Sequence, residues 1–170
     1  MNIKPRQPAP RLEVKLLDGS IWRLNEAKPK TFEMIVVYRG LHCPICKAYL
    51  GELEAKLPEF SKRGVSVIAA STDSRDRAER AKSEWSLSNL NVGCELSIEG
   101  AREWDLFISR AIRDGEPPEF SEPGLFLVKP DGTLFYASRS SAPWGRPSFD
   151  QMLRGIDITI DRNMPARGEA

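Results

Sequence analysis

Phe32-Glu33-Met34-Ile35-Val36-Val37-Tyr38-Arg39-Gly40-Leu41-His42-Cys43-Pro44-Ile45-Cys46 is the stretch on which the reading of this chain turns. Met34 to Tyr38 is continuous and apolar, the pattern of a strand buried on both faces. Beyond the cysteines, Tyr49, Leu50, Leu53, Leu57 and Phe60 recur at helical spacing, with Lys47, Glu54, Lys56 and Lys62 on the other face. Cys43 and Cys46 therefore fall on the first turn of a helix that follows a strand. Free backbone N–H groups and the helix dipole favour thiolate over thiol there. Two thiols so placed make a redox pair, in which one sulfur attacks a substrate and the other resolves the adduct. The four-residue motif alone is a weaker signal than its placement.

Outward from this segment the pattern stays that of one domain. Residues 1–10 are Pro-rich and read as an extended arm. Arg11 to Leu16 alternates, Asp18-Gly19 turns and Ile21 to Leu24 returns, giving an N-terminal β-hairpin. Pro58 bends the helix and Gly64 closes it. Val65 to Ala70 is a second buried strand, after which Asp73 or Ser74 caps a charged helix to about Trp85. Strand, helix, strand and helix in that order imply a right-handed crossover and a central parallel pair. Leu90 to Leu96 reads as a short strand, Ala101 to Ile112 as a helix, and Arg113 to Gly124 as a long loop. Leu125–Val128 and Leu134–Ala137 form a hairpin about Asp131-Gly132, and Met152 to Ile160 is a last amphipathic helix. The domain is drawn at 11–160, with 161–170 a polar, mobile tail.

Composition excludes several classes. The chain has 170 residues, 41% hydrophobic and 29% charged, with a formal net charge of +1. That balance gives no field for nucleic acid or an anionic membrane. No apolar run approaches the roughly 20 residues of a membrane span. Met1 to Leu12 lacks the apolar core of a secretory signal, so three cysteines point to a reducing, cytoplasmic setting. A close pair there is catalytic or metal-binding. Zinc needs four ligands, and beyond the pair only Cys94 and His42 remain, His42 with a poor bite beside Cys43. No metal or organic cofactor is expected. Cys94 is an inert buried thiol or a distal resolving one. His42 either lends positive charge to a thiolate or is a solvated loop residue.

This order of elements resembles the thioredoxin fold, and over roughly residues 8–155 it resembles the peroxiredoxin and alkyl hydroperoxide reductase branch. The residues that carry the likeness are Gly64 to Ser74, Gly124 to Val128 and Gly145-Arg146-Pro147. The family signature Pro-x3-Thr-x2-Cys, laid on this chain, puts the peroxidatic Cys on Cys46, the Thr on Cys43 and the Pro on Arg39. The family's active-site Arg at the start of the late strand falls on Pro123, where thioredoxins place a cis-proline. Arg39 and Arg139, near strand ends around the site, are candidates to replace that Arg.

The resemblance implies a thioredoxin-like α/β fold with a mixed central sheet and helices on both faces. It implies an oxidoreductase built on a Cys43–Cys46 couple. The leading expectation is thiol–disulfide exchange, with Cys43 the exposed nucleophile and Cys46 the buried resolver. The alternative is a peroxidase in which the roles swap, acting on hydrogen peroxide or organic hydroperoxides. A third reading is a peptide-binding module without turnover. The expected substrate-binding residues are Glu122, Pro123 (through a cis Glu122–Pro123 bond), Arg39, His42 and Arg139. Expected partners are a protein disulfide or a peroxide, an external thioredoxin- or glutathione-type thiol, and a second copy in a homodimer.

Overall fold

The structure, a computed structural model, describes residues 3–170. Its centre is β3 (Phe32–Val37), six residues without an exposed side chain. Parallel to β3 runs β4 (Val65–Ala70), and parallel to that β5 (Asn91–Cys94). On the other side β8 (Gly124–Val128) and β9 (Leu134–Arg139) pair antiparallel. The hairpin of β1 (Glu13–Leu16) and β2 (Ile21–Arg23) joins the far edge through β5. The mixed sheet has seven strands in the order β2-β1-β5-β4-β3-β8-β9.

Helices cover both faces. α1 (Pro44–Lys62), α2 (Arg75–Glu84) and α4 (Phe149–Arg162) bury Leu50, Leu53, Phe60, Ala78 and Phe149 in one apolar layer with Met34 and Val36. α3 (Ile98–Glu103) lies on the other face, where Ala101 and Trp104 pack with Ile35 and Phe126. Alternate β3 side chains feed the two layers, which is why this strand has no polar face to show. The crossovers β3–α1–β4 and β4–α2–β5 run the same way, so α1 and α2 share a face. Ser74, Ser97 and Ser148 cap α2, α3 and α4 through their hydroxyls. No helix among the described residues is long and apolar enough to cross a membrane.

Two regions differ from the sequence expectation. The helix expected over Ala101 to Ile112 stops at Glu103, and Ile108–Arg110 is instead a strand, β6, antiparallel to β7 (Glu119–Ser121) inside the expected loop. Ala101, Trp104 and Ile108 imitate a helical stripe. The buried Trp104 indole is tied to the Arg11 carbonyl at 3.1 Å, and Asp105 turns left-handed (φ 53°), which ends the helix. The tail, expected to be mobile, is docked. Ala166 is buried, its carbonyl accepts from Arg6 Nε at 3.0 Å, and Glu169 meets Arg6 at 3.1 Å. The arm lies against the start of β9 but turns at Pro5-Arg6, Arg6 being left-handed (φ 67°), with the Arg6 and Ala9 N–H groups donating to the Leu134 and Gly132 carbonyls.

Candidate active site

The cysteine pair sits where β3 hands over to α1. Gly40 makes the turn at φ +130°, and a Cβ there would meet the Asp73 carboxylate at 2.7 Å. Asp73 is buried after β4 and accepts from Leu41 N–H at 2.7 Å and Arg77 Nε at 2.8 Å. A carboxylate on the second crossover thus fixes the loop that carries the thiols. Cys43 is the N-cap of α1, and Pro44 occupies the first turn, where no N–H is needed. Cys43 Sγ accepts from Cys46 N–H at 3.1 Å. The two cysteines form a disulfide, with Cα atoms 5.2 Å apart.

Both sulfurs are covered, Cys43 at 1% exposure and Cys46 at 0%, whereas Pro44 and Ile45 between them are exposed. The expectation of an exposed Cys43 is therefore corrected. As N-cap, Cys43 turns its sulfur inward onto the helix's own N–H groups rather than out to solvent.

The cation at this site is Arg146, from the loop before α4. Its Nη2 stands 2.9 Å from Cys46 Sγ and 3.9 Å from Cys43 Sγ. The guanidinium lies over the Tyr49 ring at 4.8 Å, and its buried Nε and Nη1 have no protein acceptor. Burial pulls its pKa down from the ordinary arginine value to about 10, so it stays a cation at neutral pH. In the sequence Gly145-Arg146-Pro147 is family-like, but no local pattern assigns Arg146 a role. The available signal was an arginine held between Gly and Pro just before a helix cap.

The residues singled out from the sequence are only partly brought to the thiols. Arg39 turns to the β6–β7 hairpin, with Nε 3.2 Å from Glu122, Nη2 4.0 Å from Glu116, and its guanidinium 4.8 Å over Phe120. Glu122 is buried and also accepts from Ser109 Oγ at 2.6 Å. His42 packs edge-on against Phe120, and burial and then Arg39 hold its pKa below the ordinary imidazole value. It is thus neutral at pH 7 and lends no charge to a thiolate. Arg139 reaches the carbonyl and carboxylate of Asp105, at 3.2 and 3.4 Å, beside α3 on the opposite face of the sheet. Pro123 lines a small crevice with Tyr49, Leu125, Arg146 and Pro147.

The Glu122–Pro123 bond is trans, not cis as expected. Glu122 N–H is taken by the Phe107 carbonyl at 2.8 Å, and Ser140 N–H donates to the Pro123 carbonyl at 3.0 Å. These bonds carry an extended backbone from β7 straight into β8, for which the default isomer suffices. Cys94 is buried in β5 with Sγ 3.4 Å from the Lys15 carbonyl, and burial pushes its thiol pKa up. Among the described residues no group of three or more His, Cys, Asp or Glu side chains is placed to hold a metal ion.

The sequence model of the AhpC/TSA family matches residues 5–137. Similar curated proteins include a 1-Cys peroxiredoxin of Dictyostelium discoideum, 28% identical over 141 residues that make up 82% of this chain and 53% of the relative. Another is a 1-Cys peroxiredoxin of Onchocerca volvulus, 30% identical over 131 residues, 67% of this chain and 54% of the relative. The chain thus spans a little over half the length of these relatives. Among solved structures, a cysteine-to-serine mutant of the peroxiredoxin 6 of Arenicola marina superposes with a TM-score of 0.78 at 19% identity, covering 96% of this chain and 76% of that one. The reduced 2-Cys peroxiredoxin of Plasmodium vivax gives 0.75 at 17% identity, covering 95% and 84%. At such identities these structures speak to the fold, which is the thioredoxin-like one read from the sequence. The family match runs through the loop, the cysteine pair and the strands on either side of it, and the chain belongs to the AhpC/TSA family.

Proposed function

We propose that this chain is a thiol-dependent peroxidase in which Cys46 is oxidised by the peroxide and Cys43 resolves it. The observation that carries the reading is the position of Arg146, 2.9 Å from Cys46 Sγ and farther from Cys43 Sγ. A guanidinium on one sulfur of a reduced pair favours its thiolate. The Cys46 thiolate attacks one peroxide oxygen, the O–O bond breaks, and the departing alkoxide or hydroxide takes a proton from water. Arg146, with two nitrogens unused, has donors left for the charge that develops on oxygen. Cys46 is then a sulfenic acid. The Cys43 sulfur attacks it, water leaves, and the Cys43–Cys46 disulfide forms. One external thioredoxin-type dithiol, or two glutathione-type thiols, return two electrons and two protons and leave as a disulfide.

The kinship with proteins named peroxiredoxins supports the same reading. Thiol–disulfide exchange led by Cys43, the leading expectation from sequence, has less support. Both sulfurs are equally covered, so exposure favours neither, and the cation stands closer to Cys46 than to Cys43. Stopped-flow peroxide consumption with a thiol reductant tests the choice. Cys46→Ser should lose activity by a factor of about 10³ or more, and Arg146→Gln should lose about 10²-fold. Cys43→Ser should accumulate a dimedone-reactive Cys46 under low peroxide. Retained peroxide consumption in Cys46→Ser, or a mixed disulfide trapped there through Cys43, would return the assignment to exchange.

A further inference from the structure

We infer that Tyr49 is a positioning residue for Arg146, holding the guanidinium over Cys46 through its ring face and its hydroxyl. Tyr49 lies on α1 three residues beyond Cys46, so the two side chains share a face of the helix. Three contacts leave it. Its ring carries the Arg146 guanidinium at 4.8 Å. Its hydroxyl donates to the Pro147 carbonyl at 2.7 Å, fixing the backbone next to Arg146. Its other stacking partner is Phe149, 4.3 Å away and fully buried at the start of α4. Tyr49 thus joins the helix bearing the thiols to the loop bearing the cation.

The need for such a clamp follows from what Arg146 lacks. Its Nε and Nη1 are buried without a protein acceptor, so hydrogen bonds alone leave it free to swing toward water. No carboxylate is paired with it among the ion pairs of the described residues, which a thiolate would otherwise have to outcompete. An aromatic face attracts the cation without neutralising it. The charge remains available to sulfur or to a peroxide oxygen. Burial keeps the phenol protonated, so the hydroxyl remains a donor.

This assignment rests on the peroxidase reading only in taking Cys46 as the thiolate, and its test uses no peroxide. The alkylation of Cys46 by iodoacetamide, followed by mass spectrometry against pH in a Cys43→Ser background, reports the thiolate through its pH midpoint, while the plateau rate carries the access to this covered sulfur. Tyr49→Leu should lower the alkylation rate at pH 7 about three- to tenfold and move the midpoint upward, and Tyr49→Phe, which keeps the ring, should recover part of it. In an Arg146→Gln background Tyr49→Leu should have no further effect, because the clamp has nothing left to hold. Equal slowing with and without Arg146, or an unmoved midpoint in folded Tyr49→Leu, would overturn the assignment. Should Tyr49→Leu not fold, Tyr49→Phe carries the same cycle through the hydroxyl. About two- to threefold slowing is expected with Arg146 and none without it, and identical rates would overturn the assignment. If the alkylation pattern holds while the wild type consumes no peroxide, the peroxidase reading fails and the Tyr49 assignment stands.

Discussion

Glu33 occupies β3 at 4% exposure, and burial alone pushes its carboxyl from the ordinary 4.5 up to about 7. The folded state therefore holds a proton that the unfolded chain releases. This group's stabilising contribution is complete below about pH 4.5 and is lost as pH rises through about 7. Glu33→Gln should raise stability at pH 5 by less than about 1 kcal/mol and at pH 8.5 by about 3 kcal/mol, measured by urea unfolding at both pH values. A larger gain at pH 5 than at pH 8.5 would contradict this. At this scale the sequence was informative where the contact is local. Cys43 and Cys46 are three residues apart on one helical turn, so spacing alone places their sulfurs together. Arg146 reaches Cys46 across 100 residues, and no local pattern encodes that approach. Arg39 and Arg139, chosen for being near strand ends, found carboxylates first, at Glu122 and Asp105. A guanidinium close to a carboxylate has little reason to seek a thiol.

The elements that carry the site were the most legible ones. β3, α1, β4 and α2 follow from a buried apolar run, a helical stripe, a second buried run and a serine cap. The β6–β7 hairpin was not legible, because its strands are three residues each and its pairing partner lies across a proline-rich loop. The loop between β3 and α1 depends on both crossovers at once, since Asp73 after β4 holds Leu41 N–H. Gly40→Ala should therefore strain the loop in two ways, by its positive φ and by a Cβ against the Asp73 carboxylate. The expected cost is about 1–3 kcal/mol in denaturant unfolding, with slower alkylation of Cys46. Normal stability and normal thiol reactivity in that variant would show that the loop tolerates another path.

At the scale of the molecule, the two ends of the described chain close on each other beside the start of β9. Arg6 bonds the Ala166 carbonyl and meets Glu169, and the arm lies against that strand. The exposed Arg6–Glu169 pair itself contributes little. The burial of Ala166 and the backbone bonds of the arm contribute more. Deleting residues 163–170 should lower stability by about 1 kcal/mol, about 2–4 °C in Tm, without changing peroxide consumption. An unchanged melt would mean the tail docks without holding the fold. The thioredoxin-like architecture was readable because hydrophobic period and element order are set by every residue at once. The tail's docking rests on a handful of contacts that composition hides under a polar sequence.

The distance in sequence between Cys46 and Arg146 also orders events in time. A ribosome adding about 5–20 residues per second delivers the cysteine pair about 5–20 s before the arginine 100 residues later. Until α4 docks and seats that loop, the emerging sulfurs lack their cation. On the peroxidase reading, the nascent chain carries both thiols before the residue that would favour the Cys46 thiolate is in place. Cys46 alkylation during refolding from urea would accordingly mark the docking of α4 rather than the formation of the helix that bears the cysteine.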